Sequence, residues 1–339
     1  MNTDKTSFQA ELLANRLTKR YKHLLKWARR TGTNAYRLYD NDIPEIPLVL
    51  DLYDNAVSGA LYKRPYEKSE EEEEIWLNAM KVSIAGSLHI PIDHIFLKER
   101  RRMKARQNTG SQYGKIAKHN FYRDVHEGDL KFRVNLSDYL DTGLYLDVRK
   151  KRALIQSEAA GKKVLNLFAY TSTLSVSAAK GGALEVDSVD LSAPYLEWGK
   201  VNFALNGLTA SLIDGKDFLW AKNHNNFRSI RSDVLLFLQQ AKRAGAVWDL
   251  ILLDPPSFSN SKKMNGTIDI WRDHRELIRK CLSLLSAGGT LWFSSNAKGF
   301  SLAAEDFPDL IVKDRGAELM DEDFRGKRIP ACYTLARQE

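Results

Sequence analysis

The residues Asp254-Pro255-Pro256-Ser257-Phe258 follow a mostly apolar run, 249–253, that has the composition of a buried strand. Two successive prolines remove two backbone N–H donors and fix φ, so the chain leaves the strand in a stiff, extended form. The Asp254 carboxylate, backbone carbonyls and the Phe258 ring then face one crevice. This set suits a flat base, because the ring can stack on it while oxygens accept hydrogen bonds from its N–H groups. The stretch predicts a base-binding turn with Asp254, Pro255 and Phe258 as catalytic residues.

Polar residues follow three further predicted strands. The turn after the first strand (163–168) has no glycine, but N–H groups at the next helix start can bind an anionic group such as a carboxylate. The second strand (183–190) ends in Asp190, placed either to accept hydrogen bonds from a ribose diol or to cap the next helix. The third strand (210–213) is followed by two acids, Asp214 and Asp217, that could each contact an adenine amino group. We favour Asp217.

The chain contains no GxxxxGK[ST] phosphate loop. A nucleoside cofactor without phosphates that carries a carboxylate is S-adenosylmethionine, so the strand ends predict methyl transfer. Methylation at C5 of a pyrimidine needs a cysteine nucleophile. The fifth strand (290–295) ends in Ser294, Ser295, Asn296 and Lys298, without a cysteine. Cys281 is predicted to lie in the core and Cys332 in a late strand, so the sequence favours methylation of a nitrogen.

These residues need a scaffold that brings strand ends together. The strands named above, with 249–254, are separated by helices predicted at 172–181, 192–206, 228–245 and 271–286. Apolar strands that alternate with helices indicate an α/β fold with a mostly parallel sheet. Ligands of such sheets bind beyond the carboxyl ends of the strands. The sequence therefore predicts a Rossmann-like domain over residues 140–339.

The N-terminal part has a different character. Residues 1–32 have the apolar spacing of an amphipathic helix with a basic face. Residues 33–139 predict a small α+β domain that contacts RNA. Within it, Ser69 and the five glutamates after it indicate a capped helix that runs to about Leu88.

Charge and composition indicate the partner and the compartment. The net charge is +8, and Lys and Arg concentrate in residues 1–31 and 98–118, with eight in each. Two such clusters favour a polyanion such as nucleic acid. Two cysteines fit a reducing cytoplasm and are too few for a cysteine-rich zinc site. We expect no metal, and the sequence shows neither a membrane span nor a secretion signal.

Several motifs together resemble a known family: VNLSDYLDTGLYLDVRKKR (134–152), NLFAYTSTLSVSAAKGGA (166–183), VDLSAPYLEWGKVNFALNGL (189–208), DPPSFSNSKKMNGTIDIWRDHRELI (254–278) and FSSNAKGF (293–300). The chain resembles the guanine-N7 methyltransferase half of bifunctional bacterial 23S rRNA methyltransferases, the RlmKL family. The resemblance covers nearly the whole chain. It implies a class I methyltransferase fold after a small α+β domain, S-adenosylmethionine as donor, and 23S rRNA or its precursor as substrate.

The resemblance also implies roles for individual residues. The expected cofactor positions are Phe168, Tyr170, Thr171, Ser172, Asp190, Leu191, Asp217 and Asp254, with Asp147 and Arg149 in a cofactor lid. Ser172 stands where the family usually has glycine. The expected RNA contacts are Asn260, Lys262, Lys263, Asn296, Lys298, Arg101, Arg102 and Lys104. The portions that usually precede this half are missing, so the basic helix is our candidate for RNA binding.

Two other functions remain open at this point. A related family with a similar DPP turn forms 5-methylcytosine in rRNA, and the missing cysteine in strand five counts against it. A non-catalytic RNA-binding or ribosome-assembly factor with this fold is the other alternative.

Overall fold

The computed structural model describes residues 2–62, 69–100, 117–216, 225–259 and 268–338. The chain forms two compact units, Met1–Leu146 and Asp147–Glu339. The seven residues predicted at Arg101, Arg102, Lys104, Asp217, Asn260, Lys262 and Lys263 lie outside the described residues.

The first unit combines two helices with four sheet-forming strands and a hairpin. Its elements are α1 (Asn2–Thr31), β1 (Ala35–Asp40), β2 (Leu48–Tyr53), β3 (Ala56–Tyr62), α2 (Glu70–Leu88), β4 (Ile95–Arg100), β5 (Tyr122–Glu127) and β6 (Leu130–Asn135). The sheet order is β1-β2-β3-β4, in which β3 and β4 are parallel and the other pairs antiparallel. Strands β5 and β6 form an antiparallel pair.

The two helices pack together because both have apolar residues at helical spacing. Leu13 and Leu17 of α1 are buried with Trp76 and Met80 of α2 in one core. The indole Nε1 of Trp76 donates to the side chain of Gln9 at 2.7 Å, which satisfies a buried donor.

The predicted cap of α2 is confirmed. The Ser69 hydroxyl accepts from the Glu72 N–H at 3.2 Å, and the Glu72 carboxylate accepts from the Ser69 N–H at 3.1 Å. This reciprocal pair is a capping box, and the glutamates of the first turn favour the positive end of the helix dipole.

The second unit alternates strands with helices. Its elements are α3 (Arg149–Glu158), β7 (Lys163–Leu167), α4 (Thr173–Lys180), β8 (Glu185–Asp190), α5 (Ala193–Leu205), β9 (Ser211–Asp214), β10 (Phe227–Arg231), α6 (Val234–Arg243), β11 (Trp248–Leu253), β12 (Phe258–Ser259), β13 (Ile268–Asp269), α7 (Ile270–Leu282), β14 (Leu285–Ser295), β15 (Leu310–Asp314), α8 (Gly316–Leu319) and β16 (Ala331–Arg337).

The eight strands of the main sheet follow the order β15-β16-β14-β11-β7-β8-β10-β9. All pairs from β14 to β9 are parallel, and β16 is antiparallel to both β14 and β15. The predicted α/β fold with a mostly parallel sheet is therefore confirmed. Cys332 lies in β16, as predicted for a late strand.

One predicted helix, 228–245, is wrong in its first part. Residues Phe227–Arg231 form β10, and the helix begins at Val234. The segment FRSIR has arginines between its apolar residues, and it lies close enough to the apolar run of α6 to read as one helix. In the sheet β10 pairs on one side with β8 and on the other with β9, so β9 is an edge strand.

Candidate functional site: a crevice at the strand ends

The sheet register places the predicted site residues in one row. Leu167 of β7 pairs with Val189 of β8 and with Leu253 of β11, and Leu253 pairs with Phe293 of β14. The residue after each of these partners therefore lies at the same level of the sheet: Phe168, Asp190, Asp254 and Ser294. After β7 the chain forms β8, β9 and β10 on one side of that strand, and it then crosses through α6 to β11 on the other side. The crevice at such a switch point is where ligands bind in open α/β sheets.

The turn after β7 has an unusual backbone. Phe168, Tyr170 and Ser172 have φ values of 58°, 51° and 59°, which is the left-handed region that favours glycine. Two contacts hold this turn against β8: the Ala169 N–H donates to the Val189 carbonyl at 3.0 Å, and the Tyr170 N–H donates to the Asp190 carboxylate at 2.9 Å. The turn is therefore fixed before any ligand binds.

Helix α5 supports the same turn from a second side. The Asn202 side chain donates to the Thr171 carbonyl at 2.8 Å, and the Tyr195 ring lies edge-on to the Tyr170 ring, with 4.5 Å between the centroids. Each contact restrains the backbone that the sequence predicts as a cofactor site.

Ser172 is accommodated by a glycine on α5. A Cβ at Gly199 would lie 2.5 Å from the Ser172 hydroxyl oxygen, so that position has no room for a side chain. The Ser172 hydroxyl is buried and makes no hydrogen bond with the described residues. Glycine, the residue expected at position 172, adopts a positive φ without strain, whereas serine at this φ is strained by about 1–2 kcal/mol.

The carboxylate of Asp190 is held by backbone donors at both oxygens. Oδ2 accepts from the Tyr170 N–H, and Oδ1 accepts from the Ser192 N–H at 2.8 Å, just before α5. Burial raises the pKa of Asp190 to about 6 despite these bonds and a further one from the Leu191 N–H. Each carboxylate oxygen can still accept more bonds, so Asp190 can cap the turn and bind a ligand at once.

A third acid at this edge was missed in the sequence. Asp233 follows β10, the strand beside β8, and the Ser232 N–H donates to the Asp190 carbonyl at 3.1 Å. Its Oδ1 accepts from the Leu236 N–H at 3.0 Å and caps α6, whereas its Oδ2 is buried and accepts nothing from the described residues. A buried carboxylate oxygen without a partner is costly, so it needs a donor such as an ordered water or a ligand.

Asp233 changes the assignment of the acid after the third strand. Asp214 ends the edge strand β9, is exposed, and accepts from the Lys216 N–H at 3.0 Å. It is one strand farther from Asp190 than Asp233 is. Asp233 was missed because residues 228–245 were predicted as one helix. The signal in the sequence was a short strand followed by Ser232-Asp233, a typical helix cap, before the apolar run VLLFL.

A cation that the sequence did not predict lies beside the Asp254 carboxylate. The Lys151 ammonium lies 3.5 Å from Asp254 Oδ2 and donates to the Ser294 hydroxyl at 2.7 Å. The Lys151 side chain is 1% exposed and the Asp254 side chain 30% exposed. Lys151 belongs to the basic run RKKR (149–152), and nothing in such a run distinguishes a buried lysine from a solvated one.

The next residues of this turn face outward. Phe258 is 55% exposed, so its ring is available to stack on a ligand and does not fill the core. Pro255, by contrast, is buried. Asn296 and Lys298 are exposed after β14, and the Arg328 guanidinium donates to the Asn296 and Ala297 carbonyls at 2.7 and 2.6 Å. These contacts fix the loop that carries the two predicted RNA-binding residues.

Arg149 is engaged elsewhere in the second unit. Its guanidinium binds the Asp323 carboxylate at 3.0 and 3.1 Å and Asp321 at 2.9 Å. Asp147 lies half-buried two residues earlier. Arg149 thus ties α3 to the chain near residue 322, and a cofactor role for Asp147 and Arg149 stays a prediction.

The two cysteines are poor nucleophiles. Cys281 is fully buried in α7, as predicted, and burial raises its pKa. Cys332 of β16 pairs with Ser294 of β14, so the sheet does bring a thiol beside the fifth strand's end. It is 1% exposed, and burial raises its pKa to about 11. Both thiols are therefore protonated at neutral pH.

The described residues lack two features. No group of three or more His, Cys, Asp or Glu in this part of the chain could hold a metal ion. None of its helices combines the length and hydropathy needed to span a bilayer.

The site fits a nucleoside that carries no phosphate. Asp190 offers acceptors beside the turn after β7, Asp233 offers an unused buried acceptor one strand away, and Ser172 offers an unused hydroxyl. Together with the sheet order, these groups define a class I S-adenosylmethionine-dependent methyltransferase.

Comparisons with known proteins agree with this class. Residues 92–315 match the family model described as S-adenosylmethionine-dependent methyltransferase. Ribosomal RNA large subunit methyltransferase K of Neisseria meningitidis is 41% identical over 333 residues, which are 98% of this chain and 88% of that protein. Ribosomal RNA large subunit methyltransferase K/L of Pseudomonas putida is also 41% identical, over 96% of this chain and 42% of its own length.

Solved structures share the fold. SMU.776 complexed with SAH superposes with a TM-score of 0.71 at 22% identity, covering 96% of this chain and 81% of that one. The chain belongs to the S-adenosylmethionine-dependent methyltransferase family that includes the ribosomal RNA large subunit methyltransferase K proteins. S-adenosylmethionine is its cofactor.

Proposed function

We propose that this chain methylates N7 of a guanine in 23S rRNA or its precursor, in the bacterial cytoplasm. The carrying observation is the row of strand ends, in which the Asp254 turn with its exposed Phe258 is level with Asp190 and the turn after β7. This arrangement would place a base and a methyl donor side by side. The names of the relatives from Neisseria and Pseudomonas support large-subunit rRNA as the substrate.

The cofactor would be bound by residues at or just after the ends of β7, β8 and β10. Asp190 would accept hydrogen bonds from the ribose hydroxyls, and the buried Oδ2 of Asp233 would accept from the adenine amino group. The turn Phe168–Ser172, with Leu191 beside it, would enclose the methionine part. When bound, S-adenosylmethionine supplies an electrophilic methyl group on a sulfonium sulfur.

The chemistry asks little of the protein beyond placement. Guanine N7 already has a lone pair, so no base is needed to deprotonate it. In-line alignment of N7 with the methyl group supplies most of the rate enhancement. Phe258 would stack on the base, and the Asp254 carboxylate would offset the positive charge that grows on the purine. Asn260 and Asn296 would contact the base edge.

The basic residues would hold the RNA backbone. Lys262 and Lys263 follow the turn in the sequence, and Lys298 follows β14, the strand next to β11. The cluster that contains Arg101, Arg102 and Lys104 would add phosphate contacts. Such contacts release counterions, so binding should weaken steeply as salt rises.

The test is methyl transfer from labelled S-adenosylmethionine to naked 23S rRNA. Labelled sites should undergo the alkali-induced strand cleavage of N7-methylguanosine. Asp254→Ala should abolish transfer. Because it also leaves the buried Lys151 ammonium without its carboxylate, Tm is measured too, and Asp254→Asn, which keeps an oxygen for Lys151, should fold and also lose transfer. Asp214→Ala, which removes an exposed carboxylate at the sheet edge, should retain transfer. Label on a cytosine, or normal transfer by Asp254→Ala, would contradict the proposal.

The adenine contact has its own test. Asp233→Asn should weaken S-adenosylmethionine binding by about tenfold or more, because a hydrogen bond to a charged group contributes about 1.5–3 kcal/mol. Asp214→Asn, measured by the same calorimetric titration, should bind as the unmodified protein does. Equal affinity of Asp233→Asn and the unmodified protein would move the adenine contact elsewhere.

A further inference from the structure

A lysine is buried where an apolar residue would ordinarily pack. The Lys151 side chain is 1% exposed, whereas lysine is among the residues least often buried in proteins. Moving an ammonium out of water is costly unless it is paired and hydrogen-bonded. Lys151 meets that condition through two contacts, Asp254 Oδ2 at 3.5 Å and the Ser294 hydroxyl at 2.7 Å.

The contacts of Lys151 join three elements at the row of strand ends. The side chain starts from the first turn of α3 and reaches the residues that follow or end β11 and β14. Because α3 is a helix and the strands are locked by the sheet, the ammonium is held in place. In the part of the chain that the structure describes, it is the one cation within 4 Å of Asp254.

This placement constrains the Asp254 carboxylate. Lys151 restricts the rotation of the side chain, since its ammonium lies 3.5 Å from Asp254 Oδ2. The carboxylate is 30% exposed, so its free face is turned toward solvent and the crevice.

We propose that Lys151 is a positioning residue for methyl transfer, acting through Asp254, and this inference rests on the proposed function. Lys151 keeps the carboxylate fixed in the orientation in which it contacts the base. Ser294 in turn fixes the ammonium. A purely structural role, in which Lys151 only ties α3 to the sheet, makes different predictions for kinetics.

The experiment compares Lys151→Met, Lys151→Arg and Lys150→Met in the full chain. Methionine has a similar volume and lacks the charge. Removing one partner of a fully buried ion pair is strongly destabilising, but the Asp254 side chain is 30% exposed, so water can solvate the carboxylate that remains. Lys150 is the adjacent, less buried lysine and serves as the matched control. The measurements are kcat, KM for 23S rRNA, the Kd of S-adenosylmethionine, and Tm.

We expect Lys151→Met to lower kcat by about tenfold to a hundredfold, because misplacement of a group by about 1 Å has effects of that size. KM for RNA, the cofactor Kd and Tm should stay near those of the unmodified protein. Lys151→Arg should restore most of kcat, and Lys150→Met should change nothing.

Two outcomes would overturn the inference. In the first, kcat of Lys151→Met is unchanged. In the second, Tm, cofactor binding and kcat fall together and Lys151→Arg gives no rescue, as expected for a structural tie. Transfer by the unmodified protein to a cytosine would refute the proposed function alone, since kcat can be compared on that substrate too. No transfer to any rRNA site would overturn both.

Discussion

The pKa of Asp190 makes cofactor binding pH-dependent in a calculable way. Burial raises this pKa to about 6, and ribose hydroxyls donate best to the ionised carboxylate. With a pKa of about 6, about nine-tenths of the unbound protein is ionised at pH 7 and about one-tenth at pH 5. If the ionised form is the binding form, the Kd of S-adenosylmethionine should be about tenfold higher at pH 5 than at pH 7.

The matched variant is Asp190→Asn, which removes the charge and keeps the shape. At pH 7 it should bind the cofactor about tenfold to a hundredfold more weakly, because a charge-assisted hydrogen bond contributes about 1.5–3 kcal/mol. It should also lose the pH dependence. The measurement is the Kd of S-adenosylmethionine for both proteins, obtained by calorimetry at several pH values. In the ratio of the two Kd values, the effect of protonating the cofactor's own groups cancels.

The raised pKa of Asp190 also makes the stability of the fold depend on pH. The folded-state pKa lies above the ordinary value of 3.8, so folding favours the protonated form. The contribution of Asp190 to stability is therefore fully present below about pH 4 and is lost as pH rises through about 6.

A Kd of S-adenosylmethionine that does not change between pH 5 and pH 7, or an equal pH dependence of Kd in Asp190→Asn, would refute the reasoning.

Three further predictions concern the crevice. Phe258→Ala should raise KM for 23S rRNA between about fivefold and a hundredfold and leave the cofactor Kd unchanged, since base–aromatic stacking contributes about 1–3 kcal/mol; an unchanged KM would exclude stacking. Cys281→Ala and Cys332→Ala should each retain methylation within about twofold, whereas loss in Cys332→Ala would favour covalent C5 chemistry. Ser172→Gly should raise the free energy of unfolding by about 1 kcal/mol by removing a strained φ and an orphaned hydroxyl. Ser172→Ala, which keeps the strained φ, should gain less in the same denaturant titration.

The strand ends could be predicted because local signals agree there. Apolar runs that stop at Phe168, Asp190 and Asp254 are each followed by a turn and a helix, so the chain itself marks the carboxyl edge of a parallel sheet. The helix cap at Ser69 was predictable for the same reason, since its signal is contained in four residues.

Features that depend on distant residues could not be predicted. Asp233 became a candidate only when the sheet order placed β10 beside β8. The burial of Lys151 depends on Asp254 and Ser294, which are more than 100 residues away along the chain. The room for Ser172 depends on Gly199 in another helix. The pairings of Lys151 and Ser172 leave no periodic or compositional trace in the sequence.

The position of β16 between β14 and β15 has a consequence for synthesis. Strand β14 lies beside β11, which leads into Asp254, and its other edge is covered only when residues 331–337 join the sheet as β16. Pairings between residues that are far apart in the sequence form slowly. The core of the first unit, by contrast, uses contacts within the first 146 residues. A chain emerging from the ribosome therefore passes through a stage in which the core of its first unit is complete and its crevice is not.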